Sequence, residues 1–311
     1  MLLHEIPDFD DLIAATAREQ GIDPGLVEKD YWIMHALWGL QQLGLVFELK
    51  GGTSLSKGYG LIHRFSEDID ILIHPDDDLK TGKNNNKPAH VEARKAYYDE
   101  LAQKIKIPGF KPALRDRAFD DERYYRSGGI RLPYPELNPL PGGVKTGILL
   151  ETGFDQVAPN KPRLITSWAY DQAVAAATPD LTDNRAHDVP CYEPGYTLVE
   201  KVQTISTKFR QQQESGQMPA NFMRHYYDVF CLLGAPEVQE FIGTEPYQEH
   251  KEKRFRGEER DITRNSAFLL DDPETRKTYQ EAYEATRALY YRKQPSLGDI
   301  LEAIGNNASR L

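Results

Sequence analysis

Asp68 and Asp70 stand two residues apart in Ser66-Glu67-Asp68-Ile69-Asp70-Ile71-Leu72-Ile73. An extended chain points residues i and i+2 to one face, so the two carboxylates would lie side by side. Like charges raise each other's pKa, and a buried, unpaired couple is costly. A divalent cation removes that cost, and hard carboxylate oxygens suit Mg2+ or Mn2+. Just upstream, Leu45–Lys50 is a short apolar run ending in Gly51-Gly52, after which Thr53–Tyr59 reads as a helix opening. A glycine turn that opens a helix offers backbone N–H groups to phosphate. On this reading Gly51, Gly52, Thr53 and Ser54 hold the phosphates of an NTP, and Lys57, one turn on, neutralises their charge. Arg64 and Ser66 flank the acid pair in support. Taken singly, a Gly-Gly pair is an ordinary turn and a D-x-D an ordinary solvated strand edge. Their order, strand, GG[ST], helix, then a strand with D-x-D, points to metal-dependent phosphoryl or nucleotidyl transfer.

The elements that position these residues follow from periodicity and caps. Phe9–Gln20 carries Leu12, Ile13 and Ala17 at helical spacing. Asp23-Pro24 is a strong start for a second helix, which Gly44 ends. Its stripe of Leu26, Val27, Tyr31, Met34 and Leu37 marks it as a support behind the glycine strand, its aromatics serving as core. Asp76–Pro88 is a polar loop, about 90–106 a helix, and Arg123–Tyr134 a hairpin turning at Ser127-Gly128-Gly129. Val144–Glu151 is an apolar strand ending in Glu151, and Ser167–Ala177 a short helix. Pro179–Pro194 reads as a link, after which the pattern is helical throughout. Leu198, Val202, Ile205 and Phe209 form one core stripe, ended by Gly216, and Phe222, Tyr226, Val229 and Leu233 another. Arg224 and Asp228 stand four apart, within pairing reach. Later helices start at Asp272-Pro273, running to about Lys293, and at Ser296.

The segment KGGTSLSKGYGLIHRFSEDIDI resembles the core of the abortive-infection nucleotidyltransferase toxins of the AbiEii/AbiGii type. Glu28-Lys29-Asp30-Tyr31-Trp32 resembles that family's helix before the core, Thr197-Leu198-Val199-Glu200-Lys201 its T-L-x-E-K helix, and Arg224-His225-Tyr226-Tyr227-Asp228 its R-H-x-Y-D helix. The resemblance runs over about residues 25–235 and rests on all four segments in order. It implies that Lys201 binds phosphate, that Asp228 is a late catalytic acid which orients Lys201 or contacts the nucleotide, and that a later strand beside the D-x-D strand gives a third carboxylate, for which Glu151 is the candidate. It also implies a toxin that modifies the tRNA 3′ end and is countered by an antitoxin protein. The residues themselves leave the acceptor open between RNA and a protein side chain, and leave open a nucleotide-binding module without turnover.

With 311 residues, 40% of them hydrophobic, the chain can bury a sizeable core in one large or two moderate domains. Cys191 and Cys231 form neither a disulfide framework nor a zinc cluster. The N-terminus lacks a secretion signal, and the longest apolar stretch, Tyr31–Leu40, is too short to span a bilayer; a cytoplasmic protein with no membrane partner is expected. A net charge of −10 argues against wholesale nucleic-acid coating. A local exception is Lys104–Arg131, with eight Lys/Arg against four Asp/Glu and Tyr124-Tyr125 interleaved. Such a stretch can meet phosphates and bases, or be a solvated hairpin. The expected fold is α+β: a nucleotidyltransferase-like lobe with a small mixed sheet over 1–177, a helical lobe over 178–311, and the nucleotide in the cleft between them.

Overall fold

The alternation read at Asp68–Ile73 forms a strand, and it lies near the middle of a seven-stranded sheet. The computed structural model describes residues 1–311 except 76, 77, 156–158, 220 and 256 and the side chain of Glu258. Asp76 and Asp77, the first residues of the polar loop, thus lie outside the described residues. The strands are β1 (Phe47–Lys50), β2 (Asp68–Ile73), β3 (Leu114–Asp116), β4 (Ser127–Leu132), β5 (Ile148–Gly153), β6 (Asn160–Ile165) and β7 (Ala186–Tyr192), in the order β3-β4-β5-β2-β1-β7-β6. β2 runs antiparallel to β1 and parallel to β5, while β1 runs parallel to β7. The sheet is mixed, as expected, and larger than expected.

Three readings of strands are corrected. The segment Pro179–Pro194 is no mere link, since it carries β7, paired with both β1 and β6. Pro162 and Pro190 sit opposite each other in that outer pair, and proline, confined to edges and bulges, masks a strand pattern. Gly128-Gly129 are not a hairpin turn but lie inside β4, paired to β5. A Cβ on Gly129 would come 2.4 Å from the Asp116 carbonyl oxygen, and one on Gly128 2.8 Å from the Tyr98 ring, so both glycines permit close packing. The turn of that hairpin falls earlier, between β3 and β4. Finally, Val144–Gly147 is not strand. Gly147 at φ +65° sets the start of β5, which runs past Glu151 to Gly153.

The chain forms two compact units. The first, Met1–Gly58 with Phe65–Tyr192, contains the sheet and the helices α1 (Phe9–Gln20), α2 (Pro24–Gln42), α3 (Gly51–Thr53), α4 (Pro88–Lys104) and α5 (Trp168–Ala175). The Asp23 carboxylate caps α2, accepting from the Gly25 N–H at 2.9 Å, with Pro24 at the first helical position. α2 is buried almost all round, Leu26 through Leu37 included. A helix so enclosed needs an internal partner for every charge it carries.

The second unit, Tyr59–Arg64 with Glu193–Leu311, is helical: α6 (Pro194–Ser215), α7 (Arg224–Leu233), α8 (Pro236–Phe241), α9 (Glu245–Arg254), α10 (Ser266–Leu269), α11 (Pro273–Glu284) and α12 (Leu297–Asn307). Gly216, at φ +70°, closes α6 where the sequence indicates. Phe222, just ahead of α7, and Tyr226, Val229 and Leu233 on it form a buried stripe, each such side chain contributing about 1.5–3 kcal/mol over exposure. α11 ends at Glu284, short of the expected Lys293, and a 3₁₀ turn at Arg287–Leu289 follows. Among the described residues no helix is long and apolar enough to cross a membrane.

Candidate active site

The backbone register brings the acidic residues together. Asp70 pairs with Lys50 of β1 on one side and Glu151 of β5 on the other, and Glu151 pairs in turn with Gly129 of β4. Directly paired residues share a face, so Asp70 and Glu151 are neighbours, with Asp68 two residues before on the same side. Ile69 and Ile71 fill the opposite, buried face, while Asp68, Asp70 and Glu151 are half-buried. The Glu151 carboxyl is pushed up to about 8, first by burial, then by the charges of Asp70 and Asp68.

The glycine turn is fastened to this acid row. Gly51 has φ +73°, and a Cβ there would stand 2.1 Å from Asp70 Oδ2, so only glycine lets the carboxylate lie against the turn. Thr53 Oγ1 donates to the Asp68 carbonyl at 2.5 Å. Gly51 and Gly52 open α3, which continues as a π-turn over Ser54–Gly58. Gly52, Thr53 and Ser54 are buried. Ser54 Oγ lies beside the Cys191 thiol and among the described residues has no other hydrogen-bond partner. Ser66, half-buried, precedes Glu67.

The three carboxylates offer the hard oxygens a divalent cation takes, and the charge that lifts Glu151 is what a cation would neutralise. Among the described residues, no three Asp, Glu, His or Cys side chains converge into a formed metal cage. The donor chemistry fits the ion; the coordination is not preset.

Lys57 has a partner inside its own unit. Its Nζ lies 2.7 and 2.8 Å from the two Asp30 oxygens and 4.9 Å from the centre of the Trp168 ring. Asp30 also accepts from the Trp168 N–H at 3.0 Å. The neighbouring charges of α2 are spent in the same way. Glu28 accepts from the backbone N–H groups of Leu137 and Asn138 at 2.9–3.1 Å. Lys29 donates to the Lys145 carbonyl and sits 3.7 Å from Glu67, whose Oε2 accepts the Lys145 N–H at 3.0 Å. Burial depresses the Lys29 ammonium to about 8, with Glu67 and Asp68 opposing. Reading α2 by its apolar stripe misses this work. A signal was present: three consecutive charges in a helix with apolar residues on every side.

In the helical unit, Lys201 of α6 and Asp228 of α7 meet at 3.0 Å. The resemblance carries these two residues as a pair, and an orienting role for Asp228 matches this contact. Arg64 grips the same carboxylate in a fork, Nε and one terminal nitrogen each at 2.7 Å. Burial opposes the charge on Asp228, but Arg64 and Lys201 outweigh it and hold the carboxyl well below the usual range. Spacing along α7 points to Arg224; the fork comes from a residue far away in sequence. His225 is half-buried, and desolvation, with the charges of Lys201 and Lys208, lowers its pKa well below normal.

The basic stretch is largely engaged within its own unit. Arg115 bonds Asp99 and Asp120, Arg131 bonds Asp116, and Arg126 donates to the Lys83 carbonyl and Asn86 Oδ1. Arg123 is exposed and stacks over Tyr124.

Residues 32–303 match the family described as "Nucleotidyl transferase AbiEii toxin, Type IV TA system". None of the curated proteins matches. Among solved structures, an antigenic nucleotidyltransferase-like protein from Paracoccidioides brasiliensis shows 14% identity, with a TM-score of 0.36 over 81% of this chain and 92% of that one. The family match begins inside α2 and ends inside α12, over most of the chain, so this protein is a nucleotidyltransferase and belongs to the AbiEii toxin family of type IV toxin–antitoxin systems.

Proposed function

We propose that the protein transfers a nucleoside monophosphate from an NTP to an RNA acceptor, the tRNA 3′ end being the acceptor that the family resemblance implies, and that an antitoxin protein restrains it. The observation that carries the reading is the acid row, Asp68 and Asp70 on β2 with Glu151 in register on β5, against the glycine turn. These three side chains would hold a divalent cation, Mg2+ or Mn2+. The ion, when bound, supplies charge neutralisation on the phosphates and a more acidic attacking hydroxyl.

This chain's own part is positioning. The Gly51–Ser54 turn presents backbone N–H groups to the phosphates. The Thr53 hydroxyl is committed to the Asp68 carbonyl, so in this reading it steadies the acid strand. Lys57 acts the same way, bracing the turn through Asp30. Lys201 and Asp228 stay in the reading on the resemblance, as a phosphate-binding lysine and the acid that orients it. A family of toxin–antitoxin systems is best served by a cytoplasmic enzyme, which is our expectation here.

The test is incorporation of label from each of four α-labelled NTPs into an RNA pool or into protein. Wild type should label RNA, and Asp70→Ala should abolish labelling while the far-UV spectrum is kept. Wild-type turnover in Asp70→Ala would refute the metal role. Label found in protein alone would replace the RNA acceptor with a side chain, and nucleotide binding without any product would leave a binding module.

A further inference from the structure

The helical unit holds a cavity of about 550 Å³, within the range of small-molecule sites. One wall is the face of α7 that carries Tyr227, Phe230 and Cys231; the other is His63 and the turn at Arg292-Lys293 ahead of α12. Nothing in the chemistry described above uses these groups.

Their arrangement has two halves. The first is cationic. Arg292 donates to His63 Nε2 at 3.0 Å, which makes His63 a neutral acceptor and leaves the rest of the guanidinium free to point at a ligand. Lys293 is exposed, and among the described residues neither cation lies within 4 Å of a carboxylate, although the Lys293 charge reaches Asp299 and helps lower its pKa. Asp299 also lines the cavity, but its carboxylate is spent on the cap of α12, accepting from the Ser296 N–H at 3.0 Å. The second half is apolar. Tyr227 is buried, its hydroxyl accepting the His63 N–H at 3.2 Å, and the half-buried Phe230 ring lines the cavity beside it. A bare phosphate would engage the cations and leave Phe230 and Cys231 against water. A phosphate carrying a flat, weakly polar group would satisfy both halves. Cation-plus-aromatic pockets of this kind hold nucleotides by phosphate contact and base stacking.

We propose that this cavity binds one nucleotide unit of the acceptor nucleic acid, its phosphate on Arg292 and Lys293 and its base against Phe230. The proposal rests on the reading that the acceptor is RNA. In an acidic chain, two cations with no ion-pair partner within 4 Å among the described residues, set on an aromatic wall, give a local foothold for a polyanion, while the −10 net charge disfavours one elsewhere.

The test has two arms on the full chain. In the first, adenosine 5′-monophosphate is titrated calorimetrically in EDTA against wild type, Asp70→Asn and the Arg292→Ala/Lys293→Ala double variant. Wild type and Asp70→Asn should bind alike, and the double variant about ten- to a hundredfold more weakly, the scale of a lost charged hydrogen bond. No binding by wild type, or equal binding by the double variant, would overturn the cavity as a nucleotide site. Both exposed positions should accept alanine without loss of fold, checked by thermal melting; Arg292→Lys/Lys293→Arg keeps the charge and should restore binding. In the second arm, a ribo-oligonucleotide ending in CCA is bound over a range of salt. The double variant should flatten log K against log[salt] by about 0.7, one phosphate contact on a single strand. Parallel lines would overturn the acceptor role. If wild type binds no RNA while the first arm succeeds, it is the RNA reading that falls and the proposal's acceptor half with it; failure of the first arm defeats the cavity alone.

Discussion

Replacing Lys57 by methionine separates its two roles, phosphate hand or structural brace. The methionine keeps an apolar stem against Trp168 and removes only the charge. Asp30 is 2% exposed, and burial already raises its pKa, with Lys57 the first influence opposing that rise. Without the ammonium the carboxylate is stranded, and its escape is to take up a proton. Holding a carboxyl neutral at pH 7 against an unfolded pKa near 3.9 costs at most about 4 kcal/mol. The retained Trp168 N–H lowers that bill, so a loss of about 3 kcal/mol is expected, at the low end for a broken buried pair. The sign with pH follows. The variant's Asp30 has a raised folded pKa, so the loss shrinks as pH falls toward the unfolded value, to at most about 1.5 kcal/mol at pH 5. Urea unfolding followed by tryptophan fluorescence at both pH values measures it, and Asp30→Asn added to Lys57→Met should return more than half of the loss. A change under about 0.5 kcal/mol, or one equal at pH 5 and pH 7, would refute the brace; a raised KM for NTP with unchanged stability would restore Lys57 to the phosphates.

Three further outcomes are expected. Gly51→Ala forces a side chain into left-handed backbone and onto Asp70 Oδ2, so labelling should fall at least tenfold at about 1–2 kcal/mol of stability; full activity would show that the Asp70 carboxylate is free to move. Lys201→Ala should cost about 1.5–3 kcal/mol of transition-state or nucleotide binding if it contacts phosphate, while Arg64 keeps Asp228 paired; unchanged kinetics would leave it a structural lysine. Lys29 titrates near 8 in the fold against 10.5 for an ordinary lysine, so the unfolded chain binds more protons between those values and stability should rise there, by up to about 1.4 kcal/mol per pH unit. Lys29→Met should remove that rise, and an unaltered slope between pH 8 and 10 would count against the buried ammonium.

The sequence was most readable where local rules agree with tertiary ones. Asp23-Pro24 set the start of α2, Gly216 the end of α6, and the alternation around Ile69 and Ile71 set β2, because cap, turn and face are all written within a few residues. Glu151 had no local mark. Its place beside Asp70 comes from a parallel pairing across more than eighty residues of sequence, and only the family resemblance pointed to it. β6 and β7 were hidden for the converse reason: Pro162 and Pro190 argue locally for a break, while the sheet tolerates them in its outer pair. The Arg64 fork on Asp228 likewise joins residues that spacing along one helix does not connect.

Glu28, Lys29 and Asp30 show what periodicity leaves out. Consecutive residues on a helix point about 100° apart, so three of them sweep more than half the circumference, and an amphipathic helix would expose at least one. Here all three are at most 2% exposed. Charges that deep persist only with partners, and each finds its own: Glu28 the backbone at Leu137-Asn138, Lys29 the Lys145 carbonyl and Glu67, Asp30 Lys57 and the Trp168 N–H. Two of those contacts end next to the acid row. Lys29 and Glu67 together take both backbone groups of Lys145, just ahead of β5, and Glu67 adjoins Asp68; Asp30 holds the end of the glycine turn through Lys57. A row of like charges would drive its own strands apart, and Lys29 of α2, with Glu67, ties together the segments that lead into β2 and β5. In the proposed function these contacts hold Asp68, Asp70 and Glu151 close enough that a divalent cation would displace the proton Glu151, pushed up to about 8, keeps at neutral pH.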